Sequence, residues 1–252
     1  MTDQTGIAHS DATSITIREH SLVDDLIGQR SFTEMLYFLT VHRMPTATET
    51  CVLDACLVTL MEHGFTPTSI IARLVIDSVP GEVQVAMAAA LSSIGGVFVG
   101  TMEGCARILQ TGLDEGGDLD AYCQRVVDEH RATKRALPGF GHPFHKPDDP
   151  RSPKLFAIAR EAGVGGKYID LLERLSTTFD RALGKHMTIN ATGAIGALLL
   201  EIDIPVEILR GIAVVSRAGG LLGHIREEQQ RHSARRIWKL TEENIPYVAD
   251  TP

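Results

Sequence analysis

The chain is short of the residues that staple a fold. Its 252 residues include four cysteines, Cys51, Cys56, Cys105 and Cys123, and no two of them form a C-x-x-C pair. That excludes a disulfide scaffold and a paired-cysteine zinc site, and it points to a reducing, cytoplasmic setting. Aromatics are only 5% of the chain, with a single tryptophan, Trp238, so any core must be built from aliphatic side chains. Basic excess is also missing: 24 Lys and Arg face 32 Asp and Glu, for a net charge of −8. Such a charge argues against a general nucleic-acid or anionic-membrane surface, though it allows a local cationic pocket. No uninterrupted apolar run reaches the roughly 18 residues of a bilayer span. The polar start, MTDQTGIAHSDATSITIREH, holds no apolar signal segment. Sustained strand-like alternation, internal repeats and low-complexity tracts are absent too.

Helical spacing is what the sequence has in quantity. After a polar arm over 1–20, "SFTEMLYFLTVHRMP" places Phe32, Met35, Leu36, Phe38 and Leu39 at helical intervals. Ser31 and Glu34 match a capping box, and Pro45 bounds the segment. "TATETCVLDACLVTLMEHG" predicts a second helix closed by Gly64, and "TPTSIIARLVIDS" a third with proline in its first turn. An Ala-rich helix follows Pro80 and ends at Gly95 and Gly96; "TMEGCARILQTGL" continues the series. A joint, "DEGGDLD", occupies 114–120. Beyond it come "AYCQRVVDEHRATKRA", "SPKLFAIAREAG", "KYIDLLERLSTTFDRAL", "NATGAIGALLLEID" and a long segment from Val206 to His232. The tail over 233–252 is mostly polar, with Trp238 as a candidate anchor to the body. The expected class is all-α.

The chemistry concentrates in "PGFGHPFHKPDDPR", residues 138–151. His142 and His145 have the spacing of a metal-ligand pair, but no cysteine or glutamate cluster completes a site, so no metal is expected. An anion site fits better. Glycines let backbone N–H groups approach a ligand, His142 can polarise a carbonyl, and Lys146 and Arg151 can hold carboxylates or phosphates.

This loop resembles the "GFGHxVYKxxDPR" element of citrate synthases. Further segments resemble the same family in the same order: "SFTEMLYFLTVHRMPTATE", "MEHGFTPTSIIAR", "INATGAIGALLLEIDIP" and "SRAGGLLGHIREEQ". The family's longer N-terminal region has no counterpart here, which is similar to citryl-CoA lyases and to the lyase module of ATP-citrate lyase. The resemblance implies a two-lobed helical fold, with a large lobe of 1–112 plus 206–252 and a small lobe of 113–205. It also implies a homodimer, and a coenzyme A thioester as substrate beside a di- or tricarboxylate, with no permanently bound cofactor.

Residue by residue, the resemblance puts His63 and His142 where the family binds the dicarboxylate and polarises its oxygen. Arg151 and Arg217 fall on carboxylate-binding arginines, and Asn190 in the catalytic segment. The backbone around Leu137, Gly139 and Gly141 would lie against the CoA adenine. Lys146 would approach the CoA phosphates, with Lys185 a weaker second cation. Taken alone, His63 reads equally as a helix C-terminal histidine, Arg151 as a cap, and Arg217 as a surface residue.

The departures from the pattern bear on the reaction. Where the family has "GPLHGGANE" the chain reads GGVFVGTME over 95–103, with Phe98 in place of the enol-stabilising histidine and Val99 in place of a glycine. Pro143 replaces an arginine. The family's "NVD" reads Asn190-Ala191-Thr192, and a threonine hydroxyl is no base at neutral pH. Glu103, His145 and His186 are the nearby groups able to substitute. The expected activity is cleavage of citryl-CoA or a similar 3-hydroxy-acyl-CoA. A condensing enzyme and a catalytically silent acyl-CoA or carboxylate binder are the alternatives.

Overall fold

The structure, a computed structural model, describes residues 4–96 and 100–249. Phe98 and Val99 therefore lie outside the described residues. Eleven α-helices carry the described fold: α1 (Phe32–Val41), α2 (Ala47–Met61), α3 (Pro67–Ser78), α4 (Val83–Leu91), α5 (Thr101–Glu115), α6 (Leu119–Ala132), α7 (Arg151–Glu161), α8 (Lys167–Leu183), α9 (Ala191–Glu201), α10 (Leu209–Glu228) and α11 (Ala234–Asn244). The all-α expectation holds for the body.

The two ends depart from the polar arm and polar tail that the sequence suggests. Within the polar arm, β1 (Ala8–Ser10), β2 (Ile15–Ile17) and β3 (His20–Ser21) form a small antiparallel sheet in the order β1-β2-β3. Its turn is set by Asp11, whose carboxylate accepts from the backbone N–H and hydroxyl of both Thr13 and Ser14. Strands of two and three residues are too short to show a period-2 pattern. At the other end the polar tail folds into α11, and Trp238 is 56% exposed, so it does not pin the tail. Buried Ala234 and the Arg235–Asp77 ion pair hold α11 against α3 instead.

Local signals explain most helix ends. Capping boxes begin α1 at Ser31/Glu34 and α2 at Thr46/Glu49, and Pro67 opens α3. Asp118 caps α6 after Gly116 and Gly117, both with positive φ, turn the chain. Asn190 caps α9 by accepting from Gly193 N.

The main core joins α1 and α2 to α5–α10 through Leu53, Met102, Leu109, Leu172, Ile195 and Leu198, each nearly inaccessible. A smaller cluster joins α3, α4 and α10 through Ala72, Ile76, Ala86, Ala90, Leu221 and Ile225. The main cluster runs through both expected lobe boundaries. α10 with its lead-in, Val206–Glu228, is long and apolar enough by length and composition to cross a membrane. Its packing against α2, α3, α4 and α5, with Ser216 donating to Leu57 O and Arg217 buried, makes it a core helix of the fold.

Candidate active site

Five elements bring the candidate residues together. His63 lies in the turn between α2 and α3. Glu62 shapes that turn, its carboxylate accepting from the backbone N–H of His63 and Gly64. The turn presses on α10 at Gly220, where a Cβ would lie 2.0 Å from Met61 O. No other residue type permits this approach, which brings His63 beside Arg217.

The glycine-flanked loop enters from the other side. Gly139 has φ +87, and a Cβ there would meet Cys105 Sγ at 2.7 Å and Gly193 Cα at 3.0 Å. Gly193 in turn would place a Cβ 2.5 Å from Gly139 O. The two glycines thus lock the loop onto the first turn of α9. Gly141 N donates to Thr188 O, Asn190 N donates to Gly139 O, and Phe140 bridges Ile189. The expectation that these glycines free their N–H groups for a ligand needs correction at Gly141, whose N–H is spent inside the protein. Leu137 is buried at the base of the loop. Lys146, within the loop, and Lys185, before α9, are both exposed.

Asp149 organises the far end of the loop. Fully buried, it accepts from Arg151 N and Ala191 N and holds the Arg151 guanidinium through Nε (2.9 Å) and Nη2 (2.7 Å). Burial alone would raise its pKa, but the Arg151 fork and the two backbone N–H groups bring it down to about 2. Sequence spacing showed Asp149 only as part of "DPR"; its role becomes visible once α7 and α9 meet.

Three imidazoles converge. The ligating nitrogens of His63, His142 and His145 all lie within 4.8 Å of one another, and His63 Nε2 is 3.3 Å from His145 Nε2. His63 stands 82 residues before His145, so this cluster was invisible to motif spacing. Three histidines can bind a transition metal, yet His142 does not suit that use. Its Nδ1 accepts from the backbone N–H of Phe144 (3.1 Å) and His145 (3.0 Å). The ring proton must then sit on Nε2, whereas a metal-bound imidazole keeps its proton on the other nitrogen. His142 Nε2 is 3.5 Å from Arg151 Nη2. Two donors face each other there, and both suit an acceptor oxygen placed between them.

The electrostatics favour an anionic ligand. Burial, then neighbouring His145, holds the His142 pKa below the ordinary imidazole value; burial and then Arg151 do the same for His63. Both rings are neutral at pH 7. Arg217, 7% exposed in the middle of α10, has a buried Nη1 with no hydrogen-bond partner among the described residues. Burial lowers its pKa, Glu62 opposes that, and Arg151 adds to it. A buried guanidinium donor left unpaired is costly, so a carboxylate delivered by a ligand gains correspondingly.

The remaining expected residues do other work. Asn190 spends its amide on structure: Nδ2 donates to Gly141 O, and Oδ1 accepts from Thr192 Oγ1 and Gly193 N. It positions the loop, and the second N–H of its Nδ2 is left over as a donor. Thr192 also meets Thr101 Oγ1 at 2.8 Å, linking the first turns of α5 and α9. Of the three substitutes for a carboxylate, Glu103 is tied to Arg107 and Arg210. His186 is exposed between Asp148 and Asp180. Only His145 lies in the cluster. Arg73, ten residues beyond His63, is buried in a network with His224, Glu227, Glu228 and Ser233 that ties α3 to the end of α10.

Comparison with known proteins agrees with this architecture. Residues 28–240 match the family described as citrate synthase, C-terminal domain. Citrate synthase of Synechocystis sp. is 26% identical over 225 residues, 86% of this chain and 54% of that protein. The chain thus spans about half the length of the curated relatives it matches. Among solved structures, citryl-CoA lyase from Hydrogenobacter thermophilus superposes with a TM-score of 0.88 at 28% identity, covering 100% of this chain and 96% of that one. ATP citrate lyase from Methanothrix soehngenii, in complex with citrate and coenzyme A, shares the fold at a TM-score of 0.84 and 19% identity, covering 100% of this chain and 42% of that one. With the family match extending over most of its length, the chain belongs to the citrate synthase family.

Proposed function

We propose that the protein is a CoA-dependent carbon–carbon lyase that cleaves citryl-CoA, or a similar 3-hydroxy-acyl-CoA, into an acyl-CoA and a 2-oxo acid. The observation that carries this reading is the set of donors gathered around His63: His142 Nε2–H, the Arg151 guanidinium and the unpaired Arg217 Nη1. Cleavage needs that set. As the carbon–carbon bond breaks, the hydroxyl oxygen becomes a ketone oxygen, which His142 and Arg151 hold. Arg217 takes a carboxylate of the departing 2-oxo acid as a planar fork. The superposition over nearly the full length of a citryl-CoA lyase supports this direction. In this reading the CoA part lies along the loop from Leu137 to Gly141, with Lys146 and Lys185 near its phosphates. His63 contacts the dicarboxylate, and the 113–205 lobe closes on the substrate.

The second reading, condensation of acetyl-CoA with oxaloacetate, draws on the relatives that are citrate synthases. A neutral His142 donor would polarise a ketone equally well. That reaction, however, begins with removal of a methyl proton, and Thr192 has no carboxylate for it. Incubating the protein with acetyl-CoA in deuterated water, with and without oxaloacetate, separates the readings. The lyase reading predicts no net citrate formation by wild type, and exchange that rises on Thr192→Asp. Rapid wild-type exchange with net citrate formation would make the condensing enzyme correct. Failure to cleave citryl-CoA while binding it would leave a silent binder.

A further inference from the structure

Loss of the family's carboxylate at Thr192 coincides with the gain of an imidazole. In the motif that the loop resembles, the third residue after the histidine is tyrosine; here it is His145. A phenol, with a pKa near 10, is a poor base at neutral pH, and an imidazole is a good one. The gained ring is also placed for use. His145 Nε2 faces His63 Nε2 at 3.3 Å, so one of the two atoms donates and the other accepts. When His145 Nε2–H is the donor, His63 Nε2 accepts it and His145 Nδ1 carries an unprotonated lone pair. His142, pinned by two backbone N–H groups at Nδ1, cannot accept a proton at Nε2. Cleavage of a hydroxy-acyl thioester nevertheless has to begin by removing the hydroxyl proton.

We propose that His145 is a catalytic residue: backed by His63, it takes the hydroxyl proton of the substrate and returns it to the α-carbon of the acyl product. The inference rests on the lyase reading above. The O–H bond breaks as an N–H bond forms on His145, and the carbon–oxygen bond becomes a ketone. The bond between the carbinol carbon and the α-carbon of the thioester breaks, and its electron pair passes to the thioester as an enolate. The enolate carbon, two bonds from the oxygen just deprotonated, then takes the proton back from His145. The imidazole is regenerated, and no oxidant, metal or second base is consumed. Burial and then the Arg151 guanidinium hold the His63 pKa below the ordinary imidazole value, so the ring that backs His145 stays neutral.

The test uses His145→Gln, whose amide can still donate to His63 but cannot carry a proton. With (3S)-citryl-CoA as probe, kcat should fall by about 10²–10⁴-fold. KM and the melting temperature should stay near wild type, and the acidic limb of the kcat profile should disappear. A variant within about twofold of wild type, with the acidic limb unchanged, would overturn the assignment, because general acid–base help is worth far more than that. Should the wild type itself leave citryl-CoA intact, the lyase reading fails, and the pair is tested separately by nitrogen-15 NMR of the imidazoles. Coupled titration of His63 and His145, with His142 holding its proton on Nε2, supports the proton-handling pair. A His145 titration unmoved by His63→Gln contradicts it.

Discussion

At the scale of single residues, the site is defined by donors more than by bases. Arg217 shows why. Its Nη1 is buried and unpaired among the described residues, so its partner comes with the substrate. Lysine at 217 keeps the charge but loses the planar fork. We expect Arg217→Lys to weaken binding of oxaloacetate or citrate by at least tenfold, about 1.4 kcal/mol, with CoA affinity nearly unchanged, as read by calorimetry. Equal losses for both ligands would remove Arg217 from the carboxylate site. Much of this residue-level picture was legible in the sequence, because His63, His142, Arg151 and Arg217 lie in short motifs of fixed order. What was not legible depends on partners distant in the chain. Asp149 acquires its role from Ala191, and Asn190 gives its amide to Gly141. Thr192 joins Thr101, a contact between two helix starts. None of these pairs shares a motif.

At the scale of elements, the site depends on close approach of loop to helix. Gly193→Ala would force a methyl against Gly139 O at 2.5 Å, where backbone, not a flexible side chain, must yield. We expect a loss of about 1–3 kcal/mol, as for other overpacked sites, seen as a lowered denaturant midpoint, together with a larger loss of turnover. Full stability in Gly193→Ala would mean that the loop is not seated as described. Asp149 gives the same junction an acid-sensitive lock. Its folded pKa of about 2 lies below the ordinary carboxylate value, so its contribution is complete above roughly pH 5 and is lost as pH falls through 4 towards 2. The shift corresponds to roughly 2 kcal/mol. Stability of Asp149→Asn should fall less steeply over that window than wild type, measured by denaturant titration at several pH values. Parallel pH profiles would show that the Arg151 fork is not coupled to folding. Helix starts were predictable here because capping boxes are local. The small N-terminal sheet was not, because very short strands leave no periodic apolar trace, and in α11 the helical spacing of Ala234, Ile237 and Trp238 is masked by a mostly polar composition.

At the scale of the whole molecule, one continuous aliphatic core from α1 to α10 holds five site-bearing elements in register. The buried Arg73 network ties α3 to the end of α10 behind them. Few aromatics and many alanines and glycines make this possible, since helix starts can approach closely enough for Thr101 to reach Thr192 and Gly139 to reach Gly193. The overall class was readable from periodicity, and the family from the order of its motifs. The direction of the reaction was not, since the same donors serve a ketone being formed and a ketone being attacked. The most direct measurement is therefore the release of oxaloacetate and acetyl-CoA from (3S)-citryl-CoA, followed through reduction of the oxaloacetate formed, in wild type and His142→Ala. The account predicts cleavage by wild type and its loss in a His142→Ala protein that melts at the wild-type temperature. Cleavage that survives His142→Ala undiminished, or a wild type that binds citryl-CoA and releases neither product, would contradict it.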